Sequence, residues 1–160
     1  MDQQQLFIKM VLGNWDLQIS RLEKMFSSFT DDELQLQVAP GKNRVIYLLG
    51  HFVAYHDMLG ESLGLAERKY QHLDNDFLKS ADNIGASIPD AAYLRQAWTD
   101  VHEKLTTLFN GLEAGEWFKR HQLVSEEDFA KDLTRNRLNM IINRAAHIAY
   151  HAGQIKLCNK

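Results

Sequence analysis

Apolar residues recur along this chain at the three- and four-residue intervals of a helix, in four stretches long enough to cross a small domain. The first runs from Gln3 to Phe26. Leu6, Met10, Leu17, Ile19, Leu22, Met25 and Phe26 keep helical spacing, and Phe7, Ile8, Val11, Leu12 and Trp15 widen the apolar surface beyond one stripe. A helix apolar on two sides is either central or covered by a partner. The second stretch runs from Asn43, a predicted N-cap, to Leu63, with Val45, Ile46, Leu48, Leu49, Phe52, Val53 and Leu59 on its apolar side. The third starts at Pro89, after Ser87, and continues through Tyr93, Leu94, Trp98, Val101, Leu105, Leu108 and Phe109 to about Gly111. The fourth runs from Thr134 to Leu157, its buried side supplied by Leu138, Ile141, Ile142, Ala145, Ala146, Ile148, Ala149, Ile155 and Leu157.

The connections are long. Ser27 to Lys42 contains Thr30 followed by Glu33, the spacing of a capping box, so a short helical turn is predicted there before the break at Pro40-Gly41. Glu67 to Ser87 reads as polar and irregular, with Gly85 near its end. It is long enough to travel the length of a bundle, so the helices on either side need not form an antiparallel hairpin. Gly115 to Leu133 carries Trp117 and Phe118, predicted to anchor it, and a second short turn starting at Ser125. Four amphipathic helices and no credible strand predict an all-α fold, a four-helix bundle with long connections in a single domain over residues 1–160.

Composition narrows the function classes. Hydrophobic residues make up 45% of the 160 and charged residues 24%, which suits one domain with a real core. A net charge of −3 provides no basic field for nucleic acid. The one cysteine, Cys158, closes no internal disulfide. The N-terminus lacks the pattern of a signal peptide, and the longest apolar run, Val45 to Tyr55, is interrupted by Gly50 and His51 and too short to span a bilayer. A soluble cytoplasmic protein, away from membranes, is therefore expected.

The chemistry resides in the histidines. Of seven, His147 and His151 stand at i and i+4 in the fourth helix, so their rings share one face about 6 Å apart along the axis. One helix presents two imidazoles to one metal in this way. His51, inside the most apolar stretch of the second helix, is the candidate third ligand, because a neutral imidazole there needs a partner and a divalent metal is one. A hydrogen-bonded core histidine is the competing reading. No His-Glu-x-x-His and no paired Glu-x-x-His motif occurs, which sets aside the zincin and carboxylate-bridged di-iron arrangements. Cys158 shares the stripe of His151 but lies two turns away, too far to join the same shell. His56, His72, His102 and His121 are expected to be structural or exposed, with His102 the substitute ligand.

On the same faces stand Arg44, Tyr47, Tyr55 and Met58 of the second helix and Met140, Arg144 and Gln154 of the fourth. Arg44, Tyr47, Tyr55, Arg144 and Gln154 are expected to ring the opening of the site, where they would orient a ligand oxygen. Core packing for the tyrosines, and solvation or capping for Arg144 and Gln154, is the alternative.

The segment Asn43-Arg44-Val45-Ile46-Tyr47-Leu48-Leu49-Gly50-His51 and the segment Arg144-Ala145-Ala146-His147-Ile148-Ala149-Tyr150-His151-Ala152-Gly153-Gln154 resemble the two signatures of the DinB/YfiT-like superfamily. The resemblance covers the whole chain in helix order and motif position. It implies a four-helix bundle with a tri-histidine metal site, with His51 matching the ligand of the second helix and His147 and His151 the pair of the fourth. Ala152 stands where many relatives have a basic residue. Homodimers are frequent in the family, in keeping with the broad apolar surface of the first helix. Characterised relatives include thiol-dependent transferases and isomerases.

Two functions are compatible with these residues. In the first, the protein is a metalloenzyme in which zinc or nickel activates a small molecule, such as a low-molecular-weight thiol for transfer or a water for hydrolysis. No residue stands out as a general base. In the second, the protein is a non-catalytic stress-response or interaction protein whose metal is structural or opportunistic. An opening beside the metal distinguishes the two.

Overall fold

Four long helices carry the fold: α1 (Gln3–Ser27), α2 (Val45–Ser62), α3 (Ala91–Asn110) and α4 (Arg137–Lys156). The computed structural model describes residues 2–83 and 88–158, so the predicted contributions of Gly85 and Ser87 lie outside the described residues. Three of the helices start on side-chain caps that satisfy otherwise orphaned backbone donors. Asp2 accepts from Gln5 in a capping box, Asp90 accepts from the Tyr93 N–H at 2.8 Å, and Asn136 accepts from the Asn139 N–H at 2.9 Å. These caps correct two expected starts. The third helix begins at Ala91 behind Asp90 rather than at Pro89, and the fourth at Arg137 rather than Thr134, whose N–H and hydroxyl bond Asp132 instead.

The second helix departs from the rule. Arg44, not Asn43, holds the N-cap position, and no side chain caps the helix. The Arg44 N–H reaches Asp82 at 2.7 Å, a long-range partner invisible to local sequence rules. At the other end, Gly64 takes φ +70°, and the Leu65 N–H bonds the Gly60 carbonyl at 3.0 Å, closing α2 in a Schellman turn.

The order of side-chain contacts gives the topology. Ile46 shares a groove with Ala91, Phe52 meets Trp98, His56 meets His102, and Gly60 lies beside Leu105, a constant offset that makes α2 and α3 parallel. Trp15 meets His56 while Phe26 meets Phe52, so α1 runs against α2; Arg144 meets Tyr55 while His151 meets His51, so α4 also runs against α2. The bundle is therefore up-down-down-up, and the long link after α2 returns the chain to the starting end, as its length allows. The closest backbone pairings are α1 with α4 and α2 with α3. Helices α2 and α4 face each other through their longer side chains.

That link is more ordered than its polarity suggests. It holds a 3-10 turn at Gln71–Leu73 and a helical turn at Asp74–Phe77, and Tyr70, Leu73 and Phe77 are buried. Arg68, its side chain buried, ties Asp74 to Asp57 of α2. The other predicted turns form: Thr30 and Glu33 bond reciprocally in a capping box, and Ser125 caps a short helix at Glu126–Lys131. Trp117 is buried, as expected of an anchor. Among the described residues no strand forms; isolated bridges link Gln37 to Arg44 and Arg120 to Asn136.

The buried face of α1 is Ile8, Val11, Trp15, Leu22 and Phe26, whereas Leu6, Phe7, Met10 and Leu17 are exposed, Met10 at 63%. On α4, Ile142, Ala146, Ala149 and Leu157 also face outward, contrary to expectation. In both cases residues of the right type lie outside the stripe that packs on the bundle. No described helix is long and apolar enough to cross a membrane.

Candidate metal centre

His51 projects from the middle of α2, and His147 and His151 project from successive turns of α4 toward it. The His51 Nε2 stands 3.3 Å from His147 Nε2, which stands 3.0 Å from His151 Nε2. One nitrogen from each ring lies within 4.8 Å of both others. Two nitrogens bound at 2.0–2.1 Å to one ion at a tetrahedral angle would be about 3.3 Å apart. The spacing thus matches three ligands on one face of a cation.

Hydrogen bonding fixes which nitrogens are available. The Nδ1 of His51 lies 2.8 Å from the Phe77 carbonyl, and the Nδ1 of His151 lies 2.7 Å from Oε1 of Gln154. A carbonyl oxygen only accepts, so both Nδ1 atoms carry the proton and both Nε2 atoms present lone pairs. These converge on His147 Nε2, which has at most one hydrogen to offer. Without a cation at least one of the contacts sets lone pair against lone pair. A divalent ion resolves that conflict, and a ligand histidine anchored through its second nitrogen is the usual support for one. His147 differs: its Nδ1 is buried with no partner among the described residues.

The electrostatics suit neutral ligands. Burial pulls His51, His147 and His151 below the ordinary histidine value, and His147 falls furthest, to about 3, helped by its two neighbours and Arg144. All three rings are only half-buried, so the cluster is not sealed from solvent.

The expected ring of pocket residues divides in two. Tyr55 lies against the cluster, its ring stacked on His51 at 5.5 Å and 4.7 Å from His147, and its hydroxyl accepts from Arg144. Gln154 orients His151. Arg44 and Tyr47 are buried and bonded to the link after α2: Arg44 grips Asp82 through a buried ion pair, and Tyr47, its ring stacked beside His51 at 6.4 Å, donates its hydroxyl to the Ser80 carbonyl at 2.6 Å. They hold in place the segment whose Phe77 carbonyl orients His51. Met140 is buried, and Cys158 contacts the Gln37 carbonyl at 3.6 Å.

Two features escape sequence reasoning. Phe77 serves through its backbone, which leaves no side-chain signature. His56 is neither exposed nor isolated: it is fully buried, and its Nδ1 lies 2.9 Å from His102 Nε2. His102 Nδ1 donates to the Trp98 carbonyl at 2.8 Å, so His56 must donate to His102, leaving His56 Nε2 buried as an unpartnered acceptor. Phe52 stands between this pair and the three-histidine cluster, 5.3 Å from His56 and 5.6 Å from His147. His102 is therefore not available as a substitute ligand.

No curated protein matches the chain at a significant level. The family model described as the DinB superfamily matches residues 14–155, a span that takes in part of α1, all of α2 and α3, α4 as far as Ile155, and all three clustered histidines. With its all-α bundle and its convergent His51, His147 and His151, the chain belongs to the DinB superfamily.

Proposed function

We propose that this protein is a metal-dependent enzyme acting on a small molecule, with His51, His147 and His151 holding one divalent ion, zinc or nickel. The observation that carries this reading is the convergence of three Nε2 atoms, two of them fixed as lone-pair donors by Phe77 and Gln154. Three neutral imidazoles suit both metals. They leave coordination positions free, the pattern of catalytic rather than structural zinc. The half-exposed rings favour this reading over a closed structural site.

A bound ion would supply Lewis acidity, favouring the deprotonated form of a thiol or water. The chain's own groups would place the reactants. Tyr55 forms a wall against His51 and His147, and Arg144 adds positive charge at its edge. Transfer of a low-molecular-weight thiol to an electrophile fits a site that stabilises a thiolate without a general base; hydrolysis of a small ester or amide is the second candidate reaction. The test is metal analysis of untagged protein, followed by turnover assays with small thiols and electrophiles. One equivalent of zinc or nickel with metal-dependent thiol transfer supports the reading. Absence of bound metal after purification and after reconstitution overturns it.

A further inference from the structure

Arg144 is a half-buried cation with no counter-ion among the described residues. Among the described residues no carboxylate lies within 4.0 Å of its guanidinium, although buried Arg44 and Arg68 both have acidic partners. Its Nη1 donates to the Tyr55 hydroxyl, the guanidinium lies over the Tyr55 ring at 4.0 Å, and Nε is buried with no partner among the described residues. Nη2 has no hydrogen-bond partner within the described chain. A guanidinium withdrawn from water and left unpaired is costly, and a tyrosine ring compensates only part of that cost.

We infer that Arg144 and Tyr55 form a subsite for a carboxylate group of the small molecule handled at the three-histidine cluster. This inference rests on the reading of that cluster as the working site. Because the Tyr55 oxygen accepts from Arg144, its own O–H remains free to donate, so Arg144 Nη2 and the Tyr55 hydroxyl offer two donors to one planar anion. Tyr55 packs on His51 and His147, which sets these donors at the margin of the cluster. The charges agree. Three neutral imidazoles cancel none of a divalent ion's charge, so an anionic ligand would meet a net positive site. A carboxylate fits better than a phosphate, because phosphate sites draw on free backbone N–H groups at helix starts. Tyr55 and Arg144 lie inside α2 and α4, where backbone donors are already bonded.

The test is calorimetric titration of the metal-analysed protein with succinate, its uncharged diamide succinamide, and inorganic phosphate. Succinate is expected to bind and succinamide to bind at least about tenfold more weakly, as loss of charge-assisted bonds requires. Arg144→Gln should weaken succinate about 10- to 100-fold with metal content unchanged, Arg144→Lys should restore part of it, and Tyr55→Phe should weaken it less than Arg144→Gln. Unchanged succinate affinity in Arg144→Gln, or equal binding of succinate and succinamide, overturns the subsite. Tighter binding of phosphate than succinate overturns the assignment to carboxylate. If Arg144→Gln does not fold, the Lys and Phe variants carry the comparison, and wild-type affinity in both overturns the proposal. Failure of the metal reading shows separately, as wild-type protein without metal, and an Arg144-dependent succinate signal there leaves the subsite standing.

Discussion

Gly50 and Phe77 form a close pair on which the orientation of His51 depends. A β-carbon at Gly50 would stand 2.3 Å from the Phe77 ring, so the ring occupies space that only glycine leaves open. Phe77 is fully buried there, and from that seat its carbonyl accepts the His51 Nδ1–H. Gly50→Ala must push the ring away. Relief of helical glycine is worth about 0.5–1 kcal/mol, and overpacking costs about 1–3 kcal/mol, so a net loss of stability is expected. Metal affinity should fall about 10- to 100-fold as His51 loses its support. Denaturant unfolding and competition against a chromogenic chelator read the two effects. Lower stability with unchanged metal affinity would separate Phe77 from the ligand's orientation.

Removal of ligands should remove the metal. His147→Ala and His151→Ala are each expected to reduce metal content well below one equivalent per chain, and the double variant to abolish it. Elemental analysis of folded, untagged protein measures this. A full equivalent in the double variant is the contrary result.

Proton competition at this site should begin late. Ligand imidazoles must be neutral, and all three stand below the ordinary value of about 6.5 before any metal binds. A metal-binding site of unperturbed histidines would lose affinity as pH falls through about 6.5. Here the loss should start lower, because the free protein's rings resist protonation. Dialysis at graded pH checks the onset; a decline centred at the ordinary histidine value goes against the buried geometry, and a flat profile points to other ligands.

The His56–His102 pair should make the fold acid-sensitive independently of metal. Burial holds His56 far below its ordinary value and His102 down to about 4. The unfolded chain takes up protons below about pH 6.5 while the folded pair does not, so stability is full above that pH and falls as pH drops toward the folded values. For His102 the loss by pH 4 is of order 3 kcal/mol. Urea unfolding across that range should show a shallower decline for His56→Phe/His102→Leu than for the parent protein. Equal slopes would mean that the pair does not titrate on unfolding.

Leu6, Phe7, Met10 and Leu17 of α1 and Ile142 of α4 leave apolar side chains in solvent, with Phe7 and Ile142 lining one groove. A patch of that kind is commonly covered by a partner, and a homodimer is the expected state. Light scattering at micromolar concentration decides it: a monomer rejects the expectation, and Phe7→Glu/Met10→Glu should dissociate a dimer formed on this face.

Local order was legible in the chain because it depends on neighbours in sequence. Helical spacing located all four helices, and Thr30–Glu33 and Ser125 marked short turns that form as expected. The His147–His151 offset placed two rings on one face whatever the fold, since α-helical geometry alone requires it. What depended on contacts between distant segments was not legible. The start of α2 is set by Asp82, 38 residues from Arg44, and the acceptor for His51 is a backbone carbonyl 26 residues away. Arg44 and Tyr47 share a helix with His51 yet bond the returning link, while Tyr55 and Arg144 meet across the gap between α2 and α4. The choice of which apolar stripe of α1 is buried, and the pairing of His56 with His102, likewise required the packed bundle. Periodicity states which residues share a face of a helix; only tertiary packing decides what that face meets.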